Sequence, residues 1–143
     1  MYGLDTNVLV RFILRDDPIH AGQAKTAIAD AVAKGKSLAV SLLTILETEW
    51  VLRSCAKLKK AEVITTFRML LEARDLQIER EEVLEAALYY YESSKADFAD
   101  CLMTSRYADL KCEAMFTFDR GASKLPGNLL LSLGMPQLFQ RMI

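Results

Sequence analysis

Four apolar runs too short to be helices punctuate this chain, and the first three give way to stretches with helical spacing. They are residues 1–4, "SLAVS" at 37–41, "DLQI" at 75–78 and "EAMFTF" at 113–118. Short apolar strands separated by helix-length connections pair in parallel, and a parallel sheet is covered by helices on both faces. The pattern predicts an α/β fold.

Between the runs, residues 8–14 read as a helix with Thr6 or Asn7 as its N-cap, ended by Asp16-Asp17-Pro18. In 19–34, Ala21, Ala24, Ile28 and Ala31/Val32 recur at helical spacing, with Gly35 just past the end. Further helices are predicted over 42–55, 61–73, 81–91 and 96–111, with "KLKK" as the polar turn between the first two. Gly and Pro bracket a last edge strand at 129–133. No repeat or linker interrupts the pattern, and 143 residues with 52% hydrophobic content suit one domain over 1–143.

The 18 basic and 19 acidic side chains leave a net charge of −1 and a pI near 5.9, so any nucleic-acid binding has to be local. Arg53, Lys57, Lys59 and Lys60 form the densest basic group. Cys55, Cys101 and Cys112 are odd in number and form no C-x-x-C, which indicates neither a disulfide framework nor a zinc site. With no basic leader and no bilayer-length apolar run, the expected setting is the cytoplasm, without membrane contact. The six glycines form neither a dinucleotide fingerprint nor a phosphate loop. His20, the sole histidine, lies at the polar start of a helix and suits a capping role better than nucleophilic chemistry.

Carboxylates remain. Asp5 and Asp119 each follow a predicted strand at its carboxyl end, where ligands gather in parallel sheets. Glu47 has Leu43, Thr44, Trp50 and Val51 as helical neighbours, which predicts a buried charge without a cation. Glu49, by contrast, has Arg53 at i+4, an ordinary ion pair. In "KADFADCLM", Asp97 suits an N-cap and Asp100 the first turn. Each acid alone has a structural explanation. Gathered together, they would repel by roughly 4 kcal/mol per pair at ~4 Å and an effective dielectric of ~20, so a cluster requires cations. Oxygen ligands without His or Cys point to Mg²⁺ or Mn²⁺.

At these residues the sequence resembles the PIN-domain family, and more narrowly the VapC-type ribonuclease toxins of bacterial toxin–antitoxin pairs. The resemblance rests on "LDTNVLVR" at 4–11, "LETEWVLR" at 46–53, "ADFADCLM" at 96–103 and "FTFDR" at 116–120, in the family's order. It implies a PIN-like, Rossmann-like three-layer α/β/α fold with a central, mainly parallel sheet of four to five short strands. It also implies that Asp5, Glu47, Asp100 and Asp119 hold Mg²⁺ or Mn²⁺, with Asp97 as an auxiliary acid and Thr6, Asn7 and Thr117 as nearby donors. "GASKLPGNLLL" offers no further acid of the kind some members carry after the last motif.

For function, the resemblance implies an endoribonuclease that cleaves single-stranded or loop RNA, with tRNA a frequent substrate class, through water activated by metal. A homodimer and a small antitoxin protein are the implied partners. Arg11, Arg15 and Arg120, beside the proposed acids in sequence, join the four basic residues above as candidates for RNA contact. The alternatives are a PIN nuclease of RNA maturation and a non-catalytic α/β interaction module. A receiver-like domain is disfavoured, because Asp5 is followed by Thr6-Asn7 rather than by a second acid.

Overall fold

The structure, a computed structural model, describes residues 1–131. The chain divides into two compact units, Met1–Glu85 and Ala86–Ile143. Residues 132 and 133 of the predicted last strand lie outside the described part.

The first unit begins with β1 (Tyr2–Gly3), α1 (Thr6–Leu14), α2 (Pro18–Ala33) and β2 (Leu38–Val40). It continues through α3 (Leu42–Ser54), α4 (Lys60–Glu72) and β3 (Leu76–Ile78), and the boundary with the second unit falls inside α5 (Glu81–Ser93). Its three strands pair in parallel in the order β1-β2-β3, with Leu38 opposite both Tyr2 and Leu76. The carboxyl ends of all three therefore lie at one edge, where Asp5, Ser41 and Glu79 follow β1, β2 and β3 respectively. Leu38, Val40, Leu76 and Ile78 are buried, with Leu9, Ile45, Leu52, Val63 and Phe67 from the helices.

Helix boundaries follow capping chemistry. Asp5 is the N-cap of α1, accepting from the Val8 N–H at 3.1 Å. The expected caps, Thr6 and Asn7, instead form the first turn, which corrects the sequence assignment. The acid's side chain reaches the third helical N–H, whereas Thr6 is already buried in the helix. Arg15, left-handed at φ 54°, ends α1. Asp17-Pro18 does not end that helix but starts the next, with Asp17 accepting from the His20 N–H and Pro18 at the first helical position. Gly35 takes φ 72°, as the position past a helix end requires.

The second unit holds the rest of α5, then α6 (Phe98–Asp109), β4 (Met115–Thr117), α7 (Arg120–Ser123) and β5 (Asn128–Leu130). Strands β4 and β5 are again parallel, pairing Met115 with Asn128 and Thr117 with Leu130. The five described strands are short and parallel, and hydrogen bonding groups them as three and two. Tyr91 and Phe98 pack edge-to-face at 5.4 Å between centroids, fixing α5 against α6. Among the described residues no helix is long and apolar enough to cross a membrane.

Candidate functional site

In the first unit, Asp5, Thr6, Asn7, Leu43, Thr44 and Glu47 line an open cavity of about 300 Å³. Strand β1 delivers Asp5 to the sheet edge, and the cap bond to Val8 fixes one of its oxygens. Helix α3 is tied to the same edge from both sides. The Thr44 hydroxyl donates to the Leu4 carbonyl at 3.4 Å, and the Glu79 carboxylate accepts from the Leu42 N–H at 2.9 Å. Ser41 caps α3 by accepting from the Thr44 N–H. One turn after Thr44, Glu47 opens into the cavity beside Asp5.

Glu47 is exposed, not buried, which corrects the expectation of an unpaired buried charge. Leu43, Glu47 and Trp50 form the outward stripe of α3, whereas Ile45, Thr48, Glu49 and Leu52 face inward. The buried acid is Glu49, 3% exposed, whose carboxylate accepts from Arg53 Nε at 3.0 Å. Apolar neighbours in sequence misled here, because Leu43 and Trp50 are themselves exposed. Glu47 keeps its place as a candidate ligand through its position at the cavity, not through burial.

In the second unit, Asp100 is half-buried in the first turn of α6. Its carboxyl is pushed above the ordinary carboxylate range, first by desolvation and then by the negative charges of Asp119 and Asp97. Asp97 occupies the N-cap position of α6 without making a side-chain cap bond. Asp119 is held on both sides: its N–H donates to the Thr117 hydroxyl at 3.0 Å, and its Oδ1 accepts from the Ala122 N–H at 2.8 Å. Thr117 thus orients Asp119.

Two positioning residues were not anticipated. The Asn128 amide donates to the Thr104 hydroxyl at 2.7 Å and to the Ala122 carbonyl at 2.8 Å, and Thr104 in turn donates to the Asp100 carbonyl. This network ties the helix of Asp100 to the short helix capped by Asp119. Asn128 and Thr104 are 24 residues apart, and only a polar pair at otherwise apolar positions hints at it.

Among the described residues, no three His, Cys, Asp or Glu side chains form a group able to hold one metal ion. The acids do suit a hard cation of the Mg²⁺ kind. That ion binds through one or two carboxylates, several waters and substrate phosphates, not through an all-protein cage. Burial is the first cause of the rise at Asp100, and the repulsion from Asp119 and Asp97 that adds to it is what such an ion would relieve.

The basic candidates differ in availability. Arg11 pairs with Asp16 at 3.1 Å, Arg15 lies over the Phe12 ring, and Arg53 pairs with Glu49. Lys57, Lys59 and Arg120 are exposed, and Lys60 is half-buried. His20 pairs with Asp17 through Nδ1 at 2.6 Å, in keeping with a role at the helix start.

The sequence model of the family described as PIN domain matches residues 2–128. No curated protein matches the chain significantly.

Proposed function

This chain belongs to the PIN-domain family, a nuclease fold, and from that premise we propose that it is an Mg²⁺- or Mn²⁺-dependent endoribonuclease. Asp5, Glu47, Asp100 and Asp119 would hold the ions, with Asp97 as an auxiliary acid. The observation that carries the proposal is the meeting of Asp5 and Glu47 at one solvent-open cavity at the carboxyl ends of parallel strands. The raised carboxyl of Asp100 adds to it. Bound metal would supply activated water and neutralise the phosphodiester.

The protein's own groups bind and orient. Asp5 and Asp119 are each pinned by a backbone N–H, leaving the second carboxylate oxygen for a ligand. Thr6 and Asn7 line the cavity beside Asp5. No side-chain nucleophile is required.

The role we assign is that of the toxin of a toxin–antitoxin pair, acting in the cytoplasm as a homodimer and held in check by an antitoxin protein. Support comes from the four motifs in order. Induced expression in a bacterium tests this. The wild type is expected to arrest growth and generate new RNA ends, and Asp5→Asn to do neither. Equal growth and unchanged RNA in both would sink the proposal.

A further inference from the structure

Trp50 is the only tryptophan of the chain, and it is 54% exposed. It stands one turn beyond Glu47 on the outward stripe of α3, a separation of about 5–6 Å on a helix surface. On Glu47's other side Leu43 is 79% exposed. The opposite face of α3 already packs into the unit through Ile45 and Leu52, so the indole is not required for the core. Just past Trp50 come Arg53, then Lys57 and Lys59, all exposed.

We propose that Trp50 is a stacking platform for one unpaired base of single-stranded RNA, positioning the strand so that its phosphodiester enters the Asp5–Glu47 cavity. The proposal rests on the nuclease reading of those acids. It fits the order of groups along α3 and the turn that follows it: carboxylate, aromatic ring, then cations for the neighbouring phosphates. A protein surface is the poorer occupant, because closing an apolar patch over Leu43 and Trp50 would also strip water from the Glu47 carboxylate between them. RNA with associated cations leaves that carboxylate hydrated or liganded. A base inside a duplex has no free face to offer, so the platform selects single-stranded RNA and tolerates many sequences.

The lone indole makes the test direct. In the cleavage-deficient Asp5→Asn chain, a single-stranded RNA of about 12 nucleotides should quench the tryptophan emission saturably, and the matching duplex should not. Trp50→Ala should weaken RNA binding about tenfold, and Trp50→Phe should restore most of it. In the active chain, Trp50→Ala should raise KM with kcat little changed. An RNA with one abasic nucleotide should bind the parent more weakly than the intact RNA at one position of the scan, and Trp50→Ala should erase that difference. Equal binding and equal KM for wild type and Trp50→Ala would overturn the platform. So would emission that tracks protein concentration, with Trp50→Ala altering the oligomer mass, since that marks a contact between copies. Failure of the wild type to cleave any RNA with Mg²⁺ or Mn²⁺ would overturn the nuclease reading instead, and quenching in the Asp5→Asn chain separates the two cases.

Discussion

The two units carry their acids in different physical states. In the first, Asp5 and Glu47 are exposed at an open cavity, one capping a helix and the other on an outward stripe. In the second, Asp100 is half-buried and lies within the negative fields of Asp97 and Asp119, with its carboxyl raised in consequence. The difference teaches that the two sets make different demands. The first unit's acids sit where they do at little cost, whereas Asp100 is held against desolvation and repulsion, a state that local packing has to maintain.

The sharpest way to break the contrast is through activity. Asp5→Asn, Glu47→Gln and Asp100→Asn should each lower RNA cleavage by about 100-fold or more, and EDTA should abolish it in the wild type. Full activity in Asp100→Asn combined with loss in Asp97→Asn would reassign the ligand within α6. A smaller effect separates the supports. Asn128→Ala removes two short hydrogen bonds in the second unit and should cost about 1–2 kcal/mol in denaturant unfolding. Thr44→Val removes the bond to the Leu4 carbonyl at 3.4 Å and the one accepted from the Ser41 hydroxyl at 3.1 Å, both longer than those of Asn128, and should cost less.

Thermal melting in EDTA should then split the acids by sign. Asp5→Ala loses a helix cap and should lower Tm by about 2–4 °C. Asp100→Asn removes the desolvation of a half-buried charge and its repulsion by Asp119 and Asp97, and should raise Tm by about 1–3 °C. A carboxyl raised in the folded state destabilises when ionised, so that gain is present at neutral pH and fades as pH falls through Asp100's raised pKa. A fall in Tm for Asp100→Asn would show that the repulsion is already relieved. The smallest effect lies in the first unit and has the opposite sign. His20 holds Asp17 below its ordinary value, so its contribution is present above the usual carboxylate range and lost as pH falls through the lowered pKa. Asp17→Asn should therefore flatten the acid limb of the Tm–pH curve slightly.

Much of this was legible in the sequence, for identifiable reasons. "SLAVS" and "DLQI" fit short strands, which form there as β2 and β3, and the acids after β1 and β4 follow strand ends. What escaped was whatever depends on facing. Glu47 and Glu49 are two residues apart, and nothing local tells which points inward. The apolar neighbours of Glu47 suggested burial, yet the buried acid is Glu49, with Arg53 half in solvent as its partner. The cap of α1 lies one residue before Thr6 and two before Asn7, the caps the sequence suggests, because Asp5, Thr6 and Asn7 are all competent caps and only the backbone path selects among them. The bonds from Asn128 to Thr104 and from Leu42 to Glu79 join residues 24 and 37 apart, beyond the reach of any periodic pattern.

Asp5 and Asp119 share one detail: an oxygen of each is bonded to the third N–H of the helix it caps. A carboxylate held in this way cannot spin about its terminal bond, so its rotational freedom is lost when the helix forms and not when a ligand arrives. The remaining oxygen points in a direction set by the backbone. Lengthening either side chain by one methylene, as in Asp5→Glu, would therefore preserve the charge and still misalign the donor.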